Sequence, residues 1–111
     1  MKIRELTAAL SAEICQDEFD DVEVRGAYTS DLLSDVMANA KDGGALITIQ
    51  AHKNTVAVAE LVNISVIIIC NSRPLPDDMM EAAKSEGIAI IRSKENQFTV
   101  SGRLWKIFHE A

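Results

Sequence analysis

Three apolar runs are the strongest signal in the sequence, at 45–49, 66–70 and 88–91. They are rich in β-branched residues and do not alternate with polar residues, which is typical of strands covered on both faces of a parallel sheet. The segment 22–28 alternates apolar and polar residues instead, as a half-buried strand does. A short extended piece around Ile14 precedes it. These segments predict a mostly parallel sheet of four to five strands.

Helical spacing of apolar residues fills the stretches between the strands. Thr29 and Ser30 can cap one helix, and Gly87 ends another. Helices are predicted near 3–12, 33–40, 54–63, 76–86 and 96–109. Their expected buried faces include Leu33, Val36, Met37 and Ala40 in the second helix, and Phe98, Ser101, Leu104, Trp105 and Phe108 in the last, where Val100 and Ile107 widen the face.

Helices and strands alternate along the chain after an initial helix and two strands. Alternation of this kind builds helices onto both faces of a parallel sheet. No repeat, low-complexity tract or Pro/Gly-rich linker divides the 111 residues, and this length suits one domain. We therefore expect an α/β fold, a three-layer α/β/α sandwich, in a single domain over 1–111.

The helix around 55–62 is apolar on nearly every side, with Glu60 as its only charge. A helix that is apolar all round is buried all round. In a sandwich of this size an outer helix should keep one wet face, so a second copy of the chain is the expected cover, although the first or last helix could cover it instead. The candidate homodimer interface consists of Val56, Val58, Leu61 and Val62.

Acidic residues are concentrated in one place, because five of them fall within residues 17–23. Taking those five away from the net charge of −6 leaves −1. A solvated loop is expected there, since a block of like charges repels itself and stays exposed. The basic residues are dispersed, which disfavours a nucleic-acid partner. Cys15 and Cys70 are too far apart for a zinc motif and too few for a disulfide framework, so a reducing cytoplasm is expected, and no run is long enough to span a membrane.

Polar residues follow each predicted strand, and parallel sheets bind ligands beyond the carboxyl ends of their strands. The cationic side chains there are Lys53, Arg73 and Arg92, which suit a small anion or nucleotide. The same residue types also serve as ordinary loop and capping residues, so this signal has a structural reading as well. The candidate ligand-binding residues are Ser30, Asp31, Gln50, His52, Asn54, Asn71, Ser72 and Arg73.

Catalytic and cofactor motifs are absent from the sequence. His52 could titrate near neutral pH, but it has no neighbouring nucleophile and no GxSxG motif accompanies it. Neither GxxxxGK[ST] nor GxGxxG occurs, and no Cys/His/Asp/Glu cluster has metal-ligand spacing. We therefore expect no catalytic residue, no metal and no cofactor.

Two runs, 26–37 and 47–59, together with Arg73-Pro74 before a helix, resemble the DRTGG-domain family over nearly the whole chain. The family is similar to the N-terminal domain of HPr kinase/phosphorylase, and its members also occur beside CBS domains in regulated pyrophosphatases. The resemblance implies a small α/β/α regulatory or dimerising module. Relatives tend to carry Thr-Gly-Gly where this sequence has Cys70-Asn71-Ser72, and no DRTGG string occurs.

Three hypotheses follow. The first is a non-catalytic, homodimeric regulatory or adaptor domain that binds a small anionic or nucleotide effector at the carboxyl edge of the sheet. The second is a pure interaction or dimerisation subunit of a larger metabolic enzyme. The third is a small enzyme that uses His52 as an acid or base.

Overall fold

The apolar runs form one five-stranded sheet in the computed structural model, which describes residues 1–110. Every residue of the third and fourth strands is buried, as expected for strands covered on both faces. The strands are β1 (Glu13–Gln16), β2 (Ala27–Thr29), β3 (Ala45–Thr48), β4 (Val66–Ile69) and β5 (Ala89–Arg92).

The sheet is mostly parallel. Its strand order is β1-β5-β4-β3-β2, and the four strands β2 to β5 run parallel to their neighbours. The edge strand β1 pairs antiparallel with β5, with an irregularity between Ile14 and Gln16. Because of this topology, the carboxyl ends of β2 to β5 lie at one edge of the sheet, together with the start of β1.

Helices cover both faces of the sheet. On one face, α1 and α5 contribute Leu6 and Leu104 to a core with Ile47 and Ile68. On the other face, α2, α3 and α4 pack against a second core. The three-layer α/β/α prediction is therefore confirmed. Within residues 1–110 no helix is long and apolar enough to cross a membrane. The helices are α1 (Ile3–Ala9), α2 (Leu33–Asn39), α3 (Lys53–Leu61), α4 (Asp77–Glu86) and α5 (Gln97–His109).

The prediction of a strand over 22–28 is wrong for most of that segment, because only 27–29 joins the sheet. Val24 is buried in the core beneath α1, while Glu23 forms an isolated bridge with Lys2. The backbone nitrogen of Val24 donates to the carbonyl of Met1 at 3.0 Å. The alternation of apolar and polar residues therefore reflects packing against the start of α1 and not a sheet ladder.

The buried faces of two helices differ from those predicted. In α5 the buried residues are Val100 and Leu104, whereas Phe98 is 89% exposed and Trp105 is 65% exposed. In α2 only Val36 is fully buried, and Met37 is exposed. The expected helix cap before α2 is also absent, since that helix starts after Leu32 without a capping side chain.

The apolar helix α3 is packed mainly inside its own chain. Val56 is buried, and Val58 and Val62 pack against the same core. The neighbouring helices are α2 and α4, not the first or last helix of the chain. Leu61 is the member of the candidate dimer interface that stays open to solvent, with 70% of its surface exposed.

The acidic segment 17–23 forms the predicted loop, but it is anchored at several points. An Asp21 carboxylate oxygen accepts a hydrogen bond from the backbone nitrogen of Arg4 at 3.0 Å, in the first turn of α1. Glu23 pairs with the N-terminal amine of Met1 at 2.6 Å. The Arg4 guanidinium lies 4.8 Å from the centre of the Phe19 ring. The acids thus hold the loop against the positive end of a helix.

Candidate functional site

The polar residues that follow β2, β3, β4 and β5 lie along one edge of the sheet, because those strands are parallel. We call this edge the rim. It holds all the ligand-binding candidates from the sequence, in the spatial order β5, β4, β3, β2. The rim consists of Ser30 and Asp31 after β2, Gln50, His52, Lys53 and Asn54 after β3, Asn71, Ser72 and Arg73 after β4, and Arg92, Ser93 and Lys94 at the end of β5.

Asp31 holds the β2 side of the rim together. One of its carboxylate oxygens accepts hydrogen bonds from the Thr48 hydroxyl at 2.9 Å, from the Ile49 backbone nitrogen at 3.0 Å and from Gln97 Nε2 at 2.9 Å. The Thr48 side chain is completely buried. Asp31 therefore fixes the ends of two strands and the start of α5 relative to one another. It does so as an acceptor, not as a free carboxylate.

Gln50 is engaged within the same network. Its Nε2 donates to the backbone oxygen of Asp31 at 3.0 Å, and its own carbonyl accepts from the buried Thr55 hydroxyl at 2.8 Å. Its backbone nitrogen donates to the Thr48 hydroxyl at 3.1 Å. These bonds give the turn between β3 and α3 a fixed shape. The turn presents the next residues, His52 to Asn54, to solvent.

His52, Lys53 and Asn54 are all exposed at the start of α3. His52 occupies the capping position, but its side chain makes no capping hydrogen bond. Asn54 lies inside the helix, in its first turn. Among residues 1–110 no group of His, Cys, Asp and Glu side chains could hold a metal ion. The imidazole of His52 is thus available to a ligand.

The loop after β4 has an uncommon backbone conformation. Asn71 and Ser72 have φ values of 60° and 49°, in the left-handed region that favours glycine. Their backbone nitrogens donate to the carbonyls of Glu95 and Ser93, each at 2.9 Å. The turn thus adopts a glycine-type conformation with Asn and Ser. Arg73, directly after this turn, is exposed.

A cleft of about 420 Å³ opens at the β5 end of the rim. Arg92 crosses it, and its Nε and one terminal nitrogen bind Glu13 at 2.8 and 2.7 Å. The hydrogen bond that Arg92 donates to Glu13 raises the pKa of the Arg92 guanidinium. Another Arg92 nitrogen donates to the backbone oxygen of Arg73 at 3.3 Å. The cleft is lined by Ser11, Ala12, Glu13, Ser72, Arg92 and Lys94.

The sequence analysis missed the rim residue Lys94, and it missed Glu13, which lines the cleft beside the rim. Glu13 reaches this edge only because β1 runs antiparallel to β5, so that its first residue lies beside Arg92 at the end of β5. The direction of a short edge strand has no signal in its own four residues. Lys94 lies two residues beyond β5 and could have been included by extending the strand-end rule one loop position further.

Comparison with known proteins identifies the fold. No model of a known protein family matches the sequence, and no curated protein matches it. A solved structure does: the CBS and DRTGG domains of the regulatory region of Clostridium perfringens pyrophosphatase, complexed with the activator diadenosine tetraphosphate. The two structures superpose with a TM-score of 0.71 at 18% sequence identity, over 92% of this chain. The chain spans 45% of the length of that solved chain.

The architecture is therefore that of a small three-layer α/β/α domain with its loops gathered at one sheet edge. This is the fold that the resemblance of the runs 26–37 and 47–59 to DRTGG domains implied.

Proposed function

We propose that this chain is a non-catalytic, homodimeric regulatory domain that binds a small anionic effector at the rim. The observation that carries the proposal is the arrangement of the rim itself. Asp31, Thr48 and Thr55 fix its loops by partly buried hydrogen bonds, while the side chains of Lys53, Arg73 and Lys94 stay exposed. A rigid scaffold that presents free donors is what an anion site requires, because less ordering is needed on binding.

The donors that would contact the anion are on three adjacent loops. Lys53 and His52 begin α3, Arg73 follows β4, and Lys94 follows β5. Arg92 is already paired with Glu13, so its main part is to shape the cleft. Charge-assisted hydrogen bonds contribute about 1.5–3 kcal/mol each before desolvation and ordering costs. Two or three such contacts would give moderate affinity, which suits an effector that must also leave.

Regulation is favoured over catalysis by the contacts of the polar groups in the rim. The Asp31 carboxylate is used as a structural acceptor, and Cys70 is fully buried. Burial raises the pKa of the Cys70 thiol to about 11, with the charge of Asp31 as a smaller cause. A thiol of this kind stays protonated and unreactive at neutral pH. The pyrophosphatase domains with the same fold belong to a regulatory region, and their structure holds a nucleotide activator.

Calorimetric titration of the whole chain with inorganic phosphate, phosphorylated sugars and nucleotides tests the proposal. We expect at least one anion to bind and to raise the melting temperature, by an amount equivalent to about 2.7 kcal/mol at 100 times its dissociation constant. Arg73→Ala should weaken binding about tenfold. The matched control is Arg103→Ala, which removes an exposed arginine from α5, outside the rim, and should leave the affinity unchanged.

An interaction subunit of a larger enzyme is the second candidate, and the exposed Phe98 favours it. That ring is 89% exposed at the start of α5, where no core contact explains it. If no anion in the panel binds, or if an anion binds equally well to the wild type and to Arg73→Ala, the effector proposal is overturned and the interaction subunit is favoured.

A further inference from the structure

The sheet is covered unequally on its two faces. Three helices pack on one face, but only α1 and α5 pack on the other. Helices pack about 8–10 Å apart and strands about 4.8 Å apart, so two helices cover about four strands. The edge strand β2 is only partly covered on this face, although α5 lies beside it: Ala27 and Thr29 are exposed, whereas their partners in β3, Ala45 and Ile47, are buried.

The uncovered strip forms a cleft of about 480 Å³ between β2 and α5. This volume falls in the range of small-molecule sites, about 300–1,000 Å³. The cleft lies along the outer edge of the sheet. Strand β2 itself lines it, whereas the rim holds the residues that follow β2. We call it the β2 cleft. Its lining includes the cations Arg25 and Lys41, the hydroxyls of Thr29 and Ser101, and the rings of Trp105 and Phe108.

An aromatic wall forms one side of the β2 cleft. Trp105 is 65% exposed, and its ring stacks on His109 with the ring centres 4.1 Å apart and an angle of 14° between the planes. His109 Nδ1 is 2.7 Å from the Trp105 carbonyl oxygen, which holds the pair in place. Phe108 lines the same wall. An exposed, pre-ordered indole is a platform on which a planar ring can stack.

Two cations contribute to the same cleft. The backbone nitrogen of Arg25 donates to the Gly43 carbonyl at 2.9 Å. A methyl group at Gly43 would lie 3.0 Å from the Arg25 side chain, so the arginine runs closely over this glycine. Its guanidinium is 3.8 Å from Asp42, a loose pair with both side chains largely exposed. Lys41 is exposed in the same loop.

A hydroxyl pair completes the lining. The side-chain oxygens of Thr29 and Ser101 lie 2.7 Å apart, so they bridge β2 to α5 across the cleft. Each hydroxyl has a further acceptor capacity, and the pair can hydrogen-bond to a polar ligand as a unit. The lining thus offers stacking, positive charge and hydrogen bonding in one space.

We propose that the β2 cleft binds a small ligand in which a planar aromatic ring carries an anionic group, the chemistry of a mononucleotide. The ring would stack on Trp105, and the anion would lie against Arg25 and Lys41. This site is separate from the rim and goes beyond the proposed function. A protein partner fits less well. A stable protein interface needs about 800 Å² on each side, and the two cations of the cleft do not favour a protein over a small anion.

Fluorescence titration of the full chain with adenosine monophosphate tests the proposal, since Trp105 is the single tryptophan. We expect saturable quenching of the indole emission. Adenosine, which lacks the phosphate, should bind at least about tenfold more weakly. Ribose 5-phosphate, which lacks the aromatic base, should not quench the indole emission. Arg25→Gln and Lys41→Gln should each weaken quenching by adenosine monophosphate about tenfold.

The control variants separate this site from the rim. Arg73→Ala and Lys94→Gln remove rim cations and should leave the quenching curve unchanged. No quenching by adenosine monophosphate, or equal affinity for adenosine, would overturn the proposal. Quenching that is lost in Arg73→Ala but kept in Lys41→Gln would place the nucleotide at the rim and overturn it too. If the wild type binds no inorganic phosphate at the rim but adenosine monophosphate still quenches Trp105, the result counts against the proposed function alone.

Discussion

Asn71 and Ser72 show that a tight turn can adopt glycine-type backbone angles without glycine. Both residues have left-handed φ angles, 60° and 49°, where a non-glycine residue costs about 1–2 kcal/mol. Asn tolerates this region better than Ser, because its short amide can hydrogen-bond locally. The backbone bonds to Ser93 and Glu95 hold the turn in place against this cost.

Replacement of Ser72 by glycine should therefore stabilise the protein. The relief of the left-handed strain exceeds the extra entropy that glycine loses on folding, and the net gain is about 0.5–1 kcal/mol. Urea unfolding measures it. Ser85 in α4 is the matched control, because its backbone is right-handed helix and Ser85→Gly should lower stability by about 0.5 kcal/mol. A loss of stability in both variants would contradict the proposed backbone strain at Ser72.

The buried thiol of Cys70 gives the protein a pH dependence on the alkaline side. Its pKa rises from the ordinary 9.0 to about 11, first because of burial and second because of the charge of Asp31. Above pH 9.0 the unfolded chain loses this proton while the folded chain keeps it. The free energy of unfolding should therefore fall by up to about 1.4 kcal/mol per pH unit until about pH 11, and this term should vanish below that window.

Cys70→Ala provides the comparison for this slope. Wild type and variant share every other titrating group, including Cys15, whose pKa is also raised by burial. Urea unfolding across the window should show a steeper fall for the wild type. Parallel slopes would show that Cys70 ionises as easily in the folded protein as in the unfolded chain.

The residues of the rim could be predicted from the sequence, but their roles could not. Their location follows from parallel strands, which the apolar runs indicate directly. Whether a polar side chain is free or occupied depends on contacts distant in the sequence, as for Asp31 and Gln97, which are 66 positions apart. No local pattern encodes that contact, so the sequence could not show that Asp31 joins β3 to the start of α5, and its contact with a ligand stays a prediction.

Helix α5 shows where periodicity reaches its limit. Its apolar residues cover more than half of the helix circumference, so two overlapping faces fit the spacing. Both include Leu104 and Phe108, but one adds Phe98 and Trp105 and the other adds Val100 and Ile107. The sheet decides between them, because α5 must place its buried side over β3 and the neighbouring strands. The order and number of elements depend on no such choice, and they were predicted correctly.

Two substitutions in α5 test which face is buried. Leu104→Ala removes a side chain with no exposed surface and should cost about 2–5 kcal/mol. Phe98→Ala removes a larger side chain that is 89% exposed and should change stability by less than about 0.5 kcal/mol. Thermal unfolding with circular dichroism measures both. A large loss of stability for Phe98→Ala would show that the Phe98 side of α5 is buried, as the sequence predicted.

Charges of both signs lie at each end of the strands. The rim carries Lys53, Arg73 and Lys94 as exposed cations, but α4 begins at the same edge with Asp77 and Asp78. The opposite edge has a cleft of about 720 Å³ whose lining includes Glu18 and Glu86, and Lys84 pairs with Glu18 there. Attraction of an anion to the rim therefore depends on its individual exposed cations and weakens as salt screens them.

Self-association of the molecule would depend on a small exposed apolar surface of α3. Val56, Val58 and Val62 are taken up largely by the chain's own core, so Leu61 is the side chain on α3 left to carry the proposed homodimer contact. Sedimentation of the wild type should therefore show a reversible dimer at high micromolar concentration, and Leu61→Lys should be monomeric because a charge would be buried between the copies. Leu32→Lys is the matched control, since Leu32 is 64% exposed against 70% for Leu61 but lies at the start of α2. A wild type that stays monomeric, or equal disruption by both variants, would remove α3 as the contact between copies.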